Sequence, residues 1–241
     1  MADQDEFKPV RDFYNQNYYA QSKVKHGQLT WHDRAIAGRL GDLRGKSVLD
    51  VACGLGQWLG LLHGHGASVS GIDISQLAIE QCRRHLPEGE FHIGPAETLP
   101  FADASFDLVT CMGSLEHFLD KPAALREMVR VATPDARFLI LVPNAGFLTR
   151  RLGLYRGTVQ TQVREDVFTL EEWESLFQVA GLVVERRWRD LHTLDRDWVA
   201  IGRPWTWPLR TLQALAQALP LWPISWQYQV HHYCRRASPP K

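Results

Sequence analysis

The chain has 241 residues, room for one α/β domain with a full core and a modest extra subdomain rather than two domains of ordinary size. Its 27 basic and 27 acidic side chains balance, and with an isoelectric point near 7.2 there is no global field for gathering nucleic acid or an anionic membrane, so no nucleic-acid partner is expected. With 45% apolar and 22% charged residues the composition excludes disordered, collagen-like and coiled-coil chains; no apolar run reaches the roughly eighteen residues that span a bilayer.

MADQDEFKPV is acidic and polar, without the basic and then apolar regions of a secretory leader, so a cytoplasmic protein is the expectation. The N-terminal region (1–45) carries Tyr14, Tyr18 and Tyr19 and then a helix starting near Thr30; it is expected to act as a lid. From Lys46 to Val142 short β-rich runs alternate with helical stretches, the pattern of βαβ units on a parallel sheet. Strands are expected at 47–52, 67–72, 89–93, 105–111 and 136–142, with helices near 56–64, 75–86 and 121–132. Leu77, Ala78, Ile79 and Cys82, and likewise Leu125, Met128, Val129 and Ala132, form apolar helical stripes. After an irregular stretch (144–168), Thr169 with acids behind it opens a further helix that Gly181 stops. Strands at 182–189 and 226–234 complete the series, so one domain is expected: lid 1–45, cofactor-binding core 46–190, insertion 191–225 and final strand 226–235. Cys53, Cys82, Cys111 and Cys234 are far apart and unpaired in pattern, which predicts reduced, buried thiols.

The informative stretch is VLDVACGLG, residues 48–56. An apolar strand runs into Asp50, and a turn with Gly54 and Gly56 opens a helix, letting backbone approach a ligand at the carboxyl edge of the sheet. The next strand, SVSGID, ends in Asp73, where a carboxylate can accept hydrogen bonds from ribose hydroxyls. Taken singly, the glycines serve a tight turn and Asp73 a helix cap equally well; their joint order points to a nucleoside-containing cofactor. A dinucleotide fits poorly, because Leu59 stands where a third glycine is wanted and Asp50 would repel a pyrophosphate. S-adenosylmethionine carries a sulfonium and an ammonium and no phosphate, so the charge argument favours it.

VLDVACGLG, GIDIS, AETLPFADASFDLVTC, SLEHF and RVATPDARFLILVPN, in that order, resemble the motif series of class I S-adenosylmethionine-dependent methyltransferases, in the small-molecule branch with quinone and lipid methylases. The resemblance covers about residues 46–190 and implies a Rossmann-like, seven-stranded, mostly parallel sheet with helices on both faces, the last strand antiparallel, and N- and C-terminal cap elements. It implies that Asp50, Ala52, Cys53, Gly54 and Gly56 line the methionine and ribose end of the cofactor and that Asp73 holds the ribose. Ile74 would pack on the adenine, Ala96 and Glu97 border its polar edge, and Met112 close over it. Family members often have glycine at the place of Ala52, and a polar residue at that of Pro95.

Glu116 and His117 follow the fourth strand, near where the methyl group is presented. A histidine there suits a general base, with Tyr14 and Tyr18 as further candidates; the competing reading is that His117 only orients Glu116. Related enzymes hold a divalent cation with acids and the histidine of this segment, but the upstream acid is Gly113 here, so no metal is expected. Arg150, Arg151 and Arg156 offer either an anion clamp for the acceptor or a solvated loop cluster. The expected activity is methyl transfer to a small apolar or amphipathic acceptor in small-molecule biosynthesis; the alternatives are use of another group of the cofactor, including cyclisation, or a silent cofactor-binding partner protein. In RPWTWPLRTLQALAQALPLWPISW, a helix from near Leu209 to Pro220 gathers Leu212, Leu215, Ala216 and Leu219 on one side. That stripe is expected to pack on the core as a cap beside the acceptor pocket, with weak, reversible membrane-surface contact as the lesser alternative.

Overall fold

The computed structural model describes residues 6–19, 29–153, 165–194, 200, 204–219 and 221–237. Helix α1 (Lys8–Phe13) runs directly into a π-helical turn (Tyr14–Tyr18), and α2 (Trp31–Ala37) starts on the capping box of Thr30 and Asp33. The alternating part follows as β1 (Ser47–Val51), α3 (Gln57–Gly64), β2 (Ser68–Asp73), α4 (Gln76–His85), β3 (Glu90–Ile93), β4 (Phe106–Met112), α5 (Lys121–Val131) and β5 (Ala132–Pro143). Then come α6 (Leu148–Arg151), α7 (Leu170–Val179), β6 (Leu182–Arg189), α8 (Trp207–Ala218) and β7 (Gln229–Arg236).

The strands form one seven-stranded sheet in the order β3-β2-β1-β4-β5-β7-β6, in which β7 alone runs antiparallel, between β5 and β6. The order reverses at β1 and β4, which opens a crevice at their carboxyl ends, the usual ligand position of an open α/β sheet. Alternating side chains feed two cores. Val48 joins Trp58, Leu59, Ile79 and Cys82 on the α3/α4 face, while Leu49 and Val51 join Leu125, Met128, Trp173 and Phe177 on the α5/α7 face. All four cysteines are free and buried. Leu77 departs from its expected stripe and faces solvent, whereas Ala78, Ile79 and Cys82 are buried.

Strand β5 begins earlier than Pro134-Asp135-Ala136 suggests. Phe106 pairs with Ala132 and Leu108 with Arg137, so residues 133–136, ahead of the strand expected from 136, form an irregularity inside a longer continuous strand. At the other end, residues 224–226 form a short 3-10 turn instead of strand. Asn144 fixes that turn: its side-chain amide donates to the Ser225 and Gln227 carbonyls, and its backbone N–H to that of Tyr228. The second half of the chain is thereby brought to the carboxyl edge of the sheet. On the same edge, His32 at the start of α2 meets the Asp190 carboxylate after β6 at 3.0 Å.

Helix α8 forms near its expected place, but with the opposite orientation. Leu212, Leu215 and Leu219 face solvent, and Ala214 is the buried residue. The expected packing of that leucine stripe on the core is therefore corrected.

Candidate active site

After β1 the chain turns through Ala52 (φ 62°), Gly54 (φ 53°) and Gly56 (φ 77°), three left-handed residues within five positions. Ala52 bears the cost of a Cβ in that conformation, which accounts for a glycine preference at this place. Asp73, at the end of β2, accepts hydrogen bonds from the Gly54 N–H (2.9 Å) and the Ser75 N–H (2.8 Å), so its carboxylate fixes both the glycine turn and the start of α4. Burial raises the Asp73 pKa to about 6, against the lowering effect of those two N–H donors. Gly56 lies away from the crevice described below: a Cβ there would come within 2.8 Å of the Cys82 sulfur, so its smallness serves the packing of the turn on α4.

Two adjoining spaces occupy the crevice. The first is a slot lined by Ala52, Ile72, Asp73, Ile74, Gly94, Pro95, Ala96, Glu97, Ser114, His117, Phe118 and Leu119, covered by Phe7, Val10, Tyr14 and Tyr19. Its lining is mostly apolar, with Asp73 and Glu97 as its acids. Glu97 turns one carboxylate oxygen to the N–H groups of Leu119 and Asp120 (2.9 and 3.2 Å), holding the slot's outer wall in place. Arg130 acts similarly one layer out, donating to the carbonyls of Leu99 and Phe101.

The second space is a cavity of about 510 Å³ lined by Asp50, Ala52, Cys53, Gly54, Trp58, Met112, Gly113, Ser114, Glu116, His117 and Glu165, with Tyr14, Tyr19, Tyr228 and Gln229 among its other walls. Asp50 is buried and accepts a 2.6 Å hydrogen bond from the Thr110 hydroxyl; burial raises its pKa to about 7, and nearby Asp73 adds to the shift. Glu116 is also buried, with its pKa raised to about 7 by burial and, to a smaller degree, by the neighbouring Glu165 charge. Its Oε2 has no hydrogen-bond partner among the described residues, and neither has the Trp58 indole N–H. Both are buried polar atoms without such a partner, in residues that line the cavity. The Glu116 carbonyl accepts from the Asp166 N–H, and Lys121 bridges the Phe118 carbonyl and the Asp166 carboxylate, so the 115–121 segment is held from outside.

The described lining contains acids and no lysine or arginine. Such a wall favours a cationic or neutral guest and disfavours a phosphate or carboxylate. Arg150 and Arg151 lie on α6 outside both linings, so the described residues bring no arginine clamp to the crevice; Arg156 lies outside the described residues. No group of three or more His, Cys, Asp or Glu among the described residues is placed to share a metal ion.

Sequence spacing pairs Tyr14 with Tyr18, four residues on, as in an α-helix. The π-helical turn instead makes Tyr19 donate its N–H to the Tyr14 carbonyl, five residues back, and puts the two rings 6.0 Å apart over the crevice. The Tyr18 side chain lies outside the described ones. Tyr19 approaches the glycine turn closely enough that a Cβ on Gly54 would meet its hydroxyl at 3.0 Å, and Asn15 accepts from the Ser75 hydroxyl. Ile72, Phe118, Trp58, Glu165, Tyr228 and Gln229 were not marked by sequence pattern. The first three look like core residues, and the last three come from segments remote in sequence.

The family described as methyltransferase domain matches residues 49–140. A demethylmenaquinone methyltransferase of Beutenbergia cavernae is 31% identical over 170 residues, covering 65% of this chain and 71% of its own. An O-methyltransferase of Penicillium expansum is 40% identical over 114 residues, 44% of this chain and 41% of its own, so the match spans less than half of that relative. Among solved structures, magnesium protoporphyrin IX methyltransferase of Synechocystis with bound SAH superposes with a TM-score of 0.64 at 17% identity, covering 95% of this chain and 99% of that one. The chain belongs to the S-adenosylmethionine-dependent methyltransferases. The crevice suits that family's cofactor in shape and charge: an apolar slot beside a carboxylate, opening onto an acid-walled cavity without a basic residue among those described.

Proposed function

We propose that the chain transfers the sulfonium methyl of S-adenosylmethionine to a small apolar or amphipathic acceptor, as a cytoplasmic enzyme of small-molecule biosynthesis. In this reading Ile74 and Ala96 of the slot would hold the adenine, Glu97 stiffens the wall, and Asp73 would hold the ribose hydroxyls beside the two N–H groups it already binds. Asp50 would hold the cationic methionine end, with Ala52, Cys53, Gly54 and Met112 of the same cavity lining around it. The cofactor supplies an electrophilic methyl group; the protein holds the acceptor in line and excludes water.

The observation that carries the acceptor side is the position of His117, which borders both spaces, next in sequence to Glu116 of the cavity wall. As the acceptor oxygen bonds to the methyl carbon, its proton passes to His117 or Glu116 and the carbon–sulfur bonding pair stays on sulfur. The O-methyltransferase among the relatives supports an oxygen nucleophile. Tyr14 and Tyr19 form the covering wall of the N-terminal lid, and no acceptor anion is called for.

Incubation with methyl-labelled S-adenosylmethionine and a cell extract, followed by mass analysis, tests the reading. Label in one metabolite is the expected result. Cofactor breakdown without label transfer would point to chemistry at another group, and absence of cofactor binding would remove the reading altogether.

A further inference from the structure

Helix α8 is amphipathic in reverse. Its polar side faces the protein: the Gln217 side-chain carbonyl accepts from the Thr193 hydroxyl at 2.9 Å, its backbone carbonyl accepts from the Gln227 side chain at 3.1 Å, and Ala214 between them is buried. Its apolar side faces out, with Leu212, Leu215 and Leu219 at 65, 57 and 56% exposure. Trp205, 70% exposed, precedes the helix and Leu221, 93% exposed, follows it. The Arg189 guanidinium donates to the Leu219 and Trp222 carbonyls and fixes the helix end in this orientation.

Water is a poor solvent for this face, and its charge pattern narrows what replaces water. From Trp198 to Lys241 the sequence contains no aspartate or glutamate, so the helix and its flanking residues bring no ionised acid of their own into an apolar medium. A second copy of the chain would have to bury roughly 800 Å² on each partner for a stable interface, more than one twelve-residue helix supplies by itself. A lipid surface has no such threshold. Leucines enter the acyl boundary, and tryptophans at the edge suit the headgroup layer.

We propose that α8, flanked by Trp205 and Leu221, is an in-plane anchor that lays this face of the protein on a zwitterionic lipid bilayer. No helix among the described residues is long and apolar enough to cross a membrane, so the contact is interfacial. Gln227, held by α8, immediately precedes Tyr228 and Gln229 of the cavity wall, so the anchor sits one short hydrogen-bonded link from the crevice.

Flotation of the whole chain with phosphatidylcholine vesicles tests this, beside the variant Leu212→Gln/Leu215→Gln/Leu219→Gln, whose substituted side chains are solvent-exposed. The parent is expected to float, with little sensitivity to salt, and the triple variant to lose about tenfold or more in partitioning. An unchanged melting temperature and cofactor affinity would show that the variant is folded. A parent that stays with the unbound fraction overturns the proposal, as does a folded triple variant that floats equally well. A concentration-dependent dimer dispersed by the triple substitution, without flotation of the parent, assigns the face to a second copy and also overturns it. Vesicle binding needs no methyl transfer, so its failure leaves the catalytic reading standing.

Discussion

The slot and the cavity lie side by side, yet they differ in how completely their buried polar groups are paired. In the slot the protein supplies partners: Asp73 holds two backbone N–H groups and Glu97 two more. In the cavity, Glu116 Oε2 and the Trp58 indole N–H are left without partners among the described residues. A space whose polar groups are already satisfied is preorganised for one unvarying guest. Unpaired groups instead leave buried polarity uncompensated in the residues around the cavity, a cost that the paired carboxylates of the slot avoid.

That contrast can be broken most sharply at the cavity. His117→Ala is expected to lower turnover by about a hundredfold or more while leaving cofactor affinity nearly unchanged, because a base acts in the transition state. Steady-state rates with calorimetric cofactor titration check it, and a loss confined to a few-fold would make His117 structural. Asp73→Ala should do the reverse. Loss of a charge-assisted partner, together with the freeing of the Gly54 and Ser75 amides, should weaken cofactor binding by about 1.5–3 kcal/mol. An unchanged dissociation constant would exclude Asp73 from the site.

A smaller effect concerns pH. In the unliganded protein Asp50 has a pKa of about 7, and a bound cation would lower it, so the complex selects the ionised form. Affinity should therefore be steady well above pH 7 and fall as pH drops through that value, by about tenfold from pH 8 to pH 6. Calorimetry across that range decides it; affinity that rises toward acid would contradict a cation beside Asp50. The smallest expected effect lies in the turn beneath both spaces. Ala52→Gly relieves a left-handed alanine but adds unfolded-state entropy, so a gain of no more than about 1 kcal/mol is expected. Thermal unfolding would show it, and a clear loss of stability would mean that the alanine methyl is packed rather than strained.

Most of the sheet was legible because its signals are local. Strand runs, the Thr30 and Thr169 caps and the Gly181 stop act within a few residues, so their positions follow from pattern. Asp50, Gly54 and Asp73 were visible for the same reason: each stands at a strand end. Tyr19 was hidden because a π-helical turn, which pattern does not announce, exchanges the four-residue partner of Tyr14 for the fifth. The leucines of α8 show the other limit. Their spacing gives the helix and its apolar face, but whether that face turns inward depends on Gln217, Thr193 and Gln227, which come together only in the folded protein.

The placement of β7 has a consequence for how the chain is assembled. Within the sheet β6 pairs only with β7, and β7 is made some forty residues later, by the count from Arg189 to Gln229. During synthesis β6 must therefore wait beside an unfinished sheet, while β1 to β5 already have all their mutual partners. The slot half of the crevice can form early, and the wall bearing Tyr228 and Gln229 arrives with the strand that closes the sheet. Truncation before Gln229 would cost two strands rather than one, and would leave the edge of β5 open to pairing with another chain.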